Sequence, residues 1–96
     1  MIKVVANNYI KEGCVDEYLR LGKILVEKTN ANDKGCINYD LFRDTKDPLH
    51  FVMLEEWESV ADLEAHMQAE HFKEIIPQFG ALRAKEGEIT IFEKAW

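Results

Sequence analysis

The spacing of apolar residues divides the chain into segments with two different periods. Residues 2–9 are rich in β-branched side chains and predict a strand. From Cys14 onward the apolar residues recur at three- and four-residue steps, which predicts an amphipathic helix. Its apolar stripe comprises Val15, Tyr18, Leu19, Gly22, Leu25, Val26 and Thr29. Because residues 30–35 are rich in turn-forming types, we expect the helix to end among them.

Two further strands are predicted over residues 36–43 and 49–57, with a polar turn between them. The second of these strands is apolar on both faces. One face carries Leu49, Phe51, Met53, Glu55 and Trp57, and the other carries Val52 and Leu54. A half-exposed antiparallel strand would instead alternate apolar with polar residues. We therefore expect both faces of this strand to be covered.

The rest of the chain predicts a helical region and a fourth strand. Ser59 is a good N-cap, and Asp62 follows it at the spacing of a capping box. The apolar helical positions are Val60, Leu63 and Met67, followed by Phe72, Ile75, Ile76 and Phe79. Pro77 is expected to kink or end this helical region, and residues 87–94 predict the last strand.

The predicted order is strand, helix, strand, strand, helix, strand. This is the ferredoxin-like βαββαβ arrangement, an α+β fold with a four-stranded antiparallel sheet, and we expect residues 1–96 to form one such domain. Two helices cover only one face of such a sheet, yet the strands are apolar on both faces. We therefore expect a homodimer in which the uncovered sheet face meets the same face of a second copy.

Charge and composition exclude several classes of protein. The chain has 18 acidic and 12 basic residues and a formal net charge of −6, with no basic cluster. Nucleic acid and acidic membrane surfaces are therefore not expected as partners. The first residues lack the charged and apolar regions of a signal peptide, so none is expected, and no apolar run is long enough to cross a bilayer. Two cysteines, Cys14 and Cys36, are too few to stabilise a secreted fold by disulfide bonds. A cytoplasmic location with free thiols is therefore expected.

Histidine and asparagine side chains are the candidates for proton transfer and for binding an oxyanion. His66 and His71 lie at the borders of the helical apolar stripe, where each faces either a pocket or only the edge of the core. Asn7 and Asn8 interrupt an apolar strand, and either one is a candidate to face the covered side. A metal site built from the two histidines is disfavoured. They lie about 140° apart around a continuous helix, whereas a helical metal pair prefers positions i and i+4.

Four stretches of the sequence resemble the antibiotic biosynthesis monooxygenase family. They are IKVVANNYIKEG in the first strand, GCINYDLF in the second, LEEWES closing the third, and AHMQAEHFKEI in the second helical region. The resemblance spans essentially the whole chain. It implies a dimeric α+β barrel with a pocket between the sheet and the helices of each monomer. It also implies oxidation of a quinol or polyphenolic aromatic by O2, without a metal, flavin or other cofactor.

The resemblance implies roles for particular residues of this pocket. His66 or His71 would act as the base, while Trp57 and Asn8, or Asn7 in its place, would hold the oxyanion and the ring. Tyr39, Phe51, Met53 and Phe72 are the further candidates for contact with the substrate. Plain core packing is the alternative interpretation for Trp57 and Tyr39.

Three other functions stay open on the same scaffold, because one fold hosts several chemistries. One is isomerisation or processing of a small, phosphorylated carbonyl metabolite, for which Lys73, Arg83 and Lys85 are the nearby cations. A second is haem binding and degradation. More distant relatives of the family that degrade haem use an Asn of the first strand, a Trp near the end of the third strand and a His on the helix side. The third is a small-ligand-binding module without catalysis.

Overall fold

Four strands and three helices make up the protein in a computed structural model that describes residues 1–96. The strands are β1 (Ile2–Ile10), β2 (Cys36–Arg43), β3 (His50–Trp57) and β4 (Arg83–Glu93). The helices are α1 (Val15–Asn32), α2 (Val60–Met67) and α3 (Glu70–Phe79), and a short 3₁₀ turn, Gly80–Leu82, leads into β4. The bounds of β2 coincide with those predicted from the sequence.

The strands form one antiparallel sheet in the order β2-β3-β1-β4. In the central pair Val4 lies opposite Glu55, Ala6 opposite Met53 and Asn8 opposite Phe51. Successive strand residues point to opposite faces, so these positions share the face that the helices cover. The predicted α+β ferredoxin-like fold is confirmed.

The core lies between this inner sheet face and the helices. Tyr18 of α1 packs between Phe51 of β3 and Phe79 of α3, with ring centroids 5.1 and 4.8 Å from its own. The buried face of α1 also includes Leu21, which the predicted stripe omitted, whereas Leu19 is exposed. The thirteen buried apolar residues are Ile2, Val4, Ile10, Tyr18, Leu21, Leu25, Tyr39, Phe51, Met53, Trp57, Leu63, Ile75 and Phe79.

The second helical region differs from its prediction in two ways: other residues form its buried face, and it consists of two helices. The Ser59 hydroxyl accepts the backbone N–H of Asp62 at 3.2 Å, as the capping signal predicts. The helix that follows buries Leu63 and His66 and leaves both Val60 and Met67 exposed, so the predicted apolar face was wrong except at Leu63. The chain leaves the helix after Met67 and α3 starts at Glu70. Pro77 lies inside α3, which ends two residues later.

Strand β4 begins at Arg83, four residues before the predicted start at Gly87. Residues 83–86 are mainly polar and gave no strand pattern, yet they pair with the end of β1 across an irregular register. A Cβ atom on Gly87 would lie 2.6 Å from the backbone oxygen of Asn7. This close approach of two backbones requires glycine at the irregularity.

The outer sheet face carries no helix and is partly apolar. Phe42, Leu54 and Phe92 share this face, and each is 40% exposed or more. Ile89 and Ile91 lie on the inner side of the edge strand but are also exposed. No helix is both long and apolar enough to cross a membrane. Within one chain, only the inner face of β3 is covered. Its outer face would be covered only by a second molecule.

Candidate active site

A pocket of about 220 Å³ lies between the inner sheet face and α3. An apolar cavity of about 150 Å³ is enough to hold benzene, so this pocket has room for one substituted aromatic ring. Of the nine residues proposed from the sequence for catalysis or substrate contact, five line it: Asn7, Asn8, Tyr39, Met53 and Phe72. The other lining residues are Ala6, Glu55, Ile76, Phe79, Arg83, Glu86, Gly87 and Ile89.

Asn8 is the asparagine whose side chain faces this pocket. It is 5% exposed, and its amide nitrogen donates to the Tyr18 hydroxyl at 3.1 Å. Its carbonyl oxygen accepts the Nε–H of Arg83 at 2.8 Å. The side chain of Asn7 turns to the outer face, where its oxygen lies 2.7 Å from Nε2 of His50. The choice between the two asparagines, open in the sequence, is therefore settled by the strand register.

Arg83 brings a positive charge to the pocket, and it is the one of the three cations named from the sequence that lines it. A guanidinium carries five N–H donors, and Asn8 occupies only the Nε–H. The terminal nitrogens make no other side-chain hydrogen bond within the chain. Arg83 is thus held in place by one contact and keeps donors free for a ligand. Its place in the pocket depends on the early start of β4.

Glu55 is a buried carboxyl group in the same pocket. It is 7% exposed, and its Oε1 accepts the indole N–H of Trp57 at 2.9 Å. Burial raises the pKa of Glu55 to about 7, and the hydrogen bond from Trp57 opposes this rise. A carboxyl group with this pKa can accept a proton near neutral pH. No role was predicted for Glu55 from the sequence, although a carboxylate between two inward-facing apolar residues, Met53 and Trp57, is a signal for a buried acid.

Trp57 and Phe51 lie behind the pocket and are not part of its lining. Trp57 is fully buried; its ring packs 4.7 Å from that of His66, and its N–H is already used by Glu55. Phe51 is 1% exposed and packs on Tyr18. Trp57 therefore reaches the pocket only through its hydrogen bond to Glu55. The sequence-based placement of these two side chains against a substrate is not supported by this geometry.

The two candidate histidines converge on Asp33 and are not part of the pocket lining. Nδ1 of His66 lies 2.5 Å from the Asp33 carboxylate, and Nε2 of His71 lies 3.0 Å from it. His66 is 2% exposed and contacts the rings of Tyr39 and Phe72. Burial lowers the pKa of His66, while the hydrogen bond and charge of Asp33 oppose this.

The two histidines are not separated by about 140°, as a continuous helix would require. The helix is interrupted between Met67 and Glu70. The break turns both imidazoles toward one carboxylate, so that three potential ligand atoms lie within 4.8 Å of one another. Asp33 follows α1 directly, and no local pattern marked it, because its contacts are made 33 and 38 residues along the chain.

Comparison with known proteins gives consistent matches. Residues 1–78 match the family model described as "Antibiotic biosynthesis monooxygenase". A Bacillus subtilis (strain 168) protein named "Putative monooxygenase YcnE" is 33% identical over 73 residues, 76% of each chain. A crystal structure of a conserved protein from Methanosarcina mazei Go1 is 40% identical with a TM-score of 0.93, covering 97% of this chain and 91% of that one. A crystal structure described as an antibiotic biosynthesis monooxygenase is 40% identical with the same TM-score, covering 99% of both chains.

Proposed function

The chain belongs to the antibiotic biosynthesis monooxygenase family, and on that premise we propose that it oxidises a quinol or polyphenolic aromatic with O2 without a cofactor. The observation that carries the proposal is Glu55, a buried carboxyl group with a pKa of about 7 in a pocket the size of one aromatic ring. The resemblance noted in the sequence assigned the base to a histidine. Since neither histidine lines the pocket, the proposal gives this role to Glu55.

The polar groups of the pocket lie toward its two ends. Glu55 pairs with Val4, and Asn8 lies four residues further along β1, a spacing of about 14 Å at the strand rise of ~3.4 Å per residue. Asn8 holds Arg83 at that second end. Tyr39, Met53 and Phe72 contribute apolar lining. A flat ring between the ends would have one hydroxyl near the carboxylate and another oxygen near the guanidinium.

Oxidation without a cofactor requires a substrate that itself reduces O2. In the proposed reaction Glu55 removes a phenolic proton, and the resulting anion gives up an electron to O2 more readily than the neutral phenol does. Arg83, supported by Asn8, stabilises negative charge on the other oxygen. The products balance as one hydroxyquinone and one water from one hydroquinone and one O2. One oxygen atom replaces a ring hydrogen, and the other leaves as water.

We also propose that the functional unit is a homodimer formed through the outer sheet face. Phe42, Leu54 and Phe92 leave apolar surface on that face, and burying it would contribute about 25 cal/mol per Å². The net charge of −6 supports a small-molecule role over nucleic-acid binding. The proposed location is the cytoplasm.

The proposal is tested by oxygen uptake with a panel of hydroquinones and chelator-treated protein. We expect uptake above the autoxidation background for the wild type, loss of most of it in Glu55→Gln, and retention in Glu58→Gln. Glu58 is a matched control because it is an exposed carboxylate three residues further along. The absence of uptake by folded wild-type protein would overturn the function, and full activity in Glu55→Gln would overturn the choice of base.

A second candidate function is favoured by the pairing of a base with a cation. Of the three basic residues considered for a phosphorylated carbonyl substrate, only Arg83 lines the pocket; Lys85 stacks on the Tyr9 ring instead. Glu55 with Arg83 would also suit proton transfer next to a carbonyl group. Proton exchange on phosphorylated carbonyl compounds without O2 consumption would favour this reaction. Haem degradation is less favoured, because neither histidine reaches the pocket.

A further inference from the structure

The ends of three helical segments meet at Asp33, His66 and His71. Asp33 caps the end of α1, and its backbone N–H donates to the Thr29 carbonyl at 3.0 Å. His66 lies in the last turn of α2, and His71 in the first turn of α3. All three side chains are nearly buried, with exposures of 8%, 2% and 10%. From this geometry we propose that the three residues bind a divalent transition-metal ion of the Zn²⁺ class.

The spacing of the three donor atoms is close to that of a metal centre. One atom from each residue lies within 4.8 Å of the other two. Zn–N and Zn–O bonds of about 2.1 Å place tetrahedral ligand atoms about 3.4 Å apart. The His66–Asp33 distance of 2.5 Å would therefore lengthen by about 1 Å, and the His71–Asp33 distance of 3.0 Å by less. The two histidine nitrogens, which lie within 4.8 Å of each other, would have to settle at about the same 3.4 Å separation. Such changes lie within reach of side-chain rotation.

The donor set selects the chemical class of the ion. Two imidazole nitrogens and one carboxylate oxygen suit Zn²⁺, Co²⁺, Ni²⁺, Cu²⁺ or Fe²⁺, whereas Mg²⁺ and Ca²⁺ prefer oxygen donors throughout. Three protein ligands leave a fourth position for water. A surface depression lined by Asn32, Asp33, Lys34, Asp62, Ala65 and His66 gives ion and water a path to the cluster.

One of the ligands, His66, is held by packing before any ion binds. His66 is enclosed by the rings of Tyr39, Trp57 and Phe72, at centroid distances of 5.1, 4.7 and 5.0 Å. Side chains fixed on helices by packing give more precise sites than side chains on loops. An ion at this position would tie the end of α1 to the break between α2 and α3. The site is separate from the proposed oxidation pocket, since none of its three ligands lines that pocket.

Titration of tag-free protein with Zn²⁺ by calorimetry, and with Co²⁺ by visible absorption, tests the proposal. We expect one ion per chain for the wild type and an affinity loss of about 100-fold or more in Asp33→Asn and His71→Gln, because even outer-shell changes cost 10–100-fold. The matched control is His50→Gln, which removes a histidine that also contacts a carboxylate, Asp44 at 2.9 Å, but has no second histidine.

Two outcomes would overturn the metal site. One is the absence of stoichiometric binding by the wild type at millimolar Zn²⁺. The other is binding that survives in both Asp33→Asn and His71→Gln, since the ion would then lie elsewhere. Thermal unfolding of each variant without metal shows whether it is folded. Oxygen uptake is measured on chelator-treated protein, so either proposal can fail without the other.

Discussion

The buried carboxyl group of Glu55 predicts an unusual dependence of stability on pH. Its pKa is about 7 in the folded protein, against an ordinary value of 4.5. The folded state therefore holds this proton more tightly than the unfolded state, and protonation stabilises the fold. This contribution is complete below pH 4.5, is lost as the pH rises through about 7, and does not return above it.

The size of the effect follows from the shift. A difference of 7 − 4.5 = 2.5 pKa units corresponds to about 3 kcal/mol at 1.36 kcal/mol per unit. Glu55→Gln removes the ionisable group and keeps an oxygen that can accept the Trp57 N–H. We expect the variant to unfold with nearly the wild-type free energy at pH 4.5. At pH 8.5 it should be more stable by up to about 3 kcal/mol, which is more than 10 °C in Tm for a chain of this size.

Urea unfolding of wild type and Glu55→Gln between pH 4.5 and 8.5, at one fixed protein concentration, measures this difference directly. Glu58→Gln is the control, because its carboxylate is exposed and its variant should follow the wild-type curve. A stability difference between wild type and Glu55→Gln that stays constant across this range would refute the reasoning. So would a difference of opposite sign, with the wild type gaining stability at high pH. Either result would also remove Glu55 as a base with a pKa near 7.

Three further predictions follow from particular contacts. Trp57→Phe keeps a ring in the core but removes the N–H that lowers the pKa of Glu55. The rise of kcat/KM with pH should therefore shift to higher pH. An unchanged pH profile would show that Trp57 does not position this carboxyl group. Gly87→Ala places a Cβ 2.6 Å from a backbone oxygen of β1 and should lower the free energy of unfolding, measured in urea, by about 1–3 kcal/mol. An unchanged free energy of unfolding would mean that the two strands separate readily there. Leu54→Asp puts a charge on the outer sheet face and should shift the protein to monomers in sedimentation experiments. Val60→Asp, a change at an exposed apolar residue of α2, should not shift it. A wild type that sediments as a monomer would contradict the proposed dimer.

The sequence by itself was sufficient for the order of the strands and helical regions and for most of the strand faces, but not for the division of the second helical region into α2 and α3. The period of apolar residues depends on the local backbone, so β2 was predicted at its observed bounds and β3 with Phe51, Met53, Glu55 and Trp57 on one face. The Ser59 cap was also predictable from the sequence, because its partner is the nearby Asp62. The family resemblance rested on the same local stretches, and the match over residues 1–78 confirms it.

The tertiary structure decided which of these residues meet. Arg83 joined the pocket because β4 starts early, in a polar stretch whose pairing with β1 has no periodic signal. His66 and His71 came together on Asp33 because the helix breaks between them. Glu55 acquired its pKa of about 7 from burial. A residue's own neighbours set the period of a helix or strand, whereas burial, charge and contacts across the fold depend on packing between segments distant in sequence.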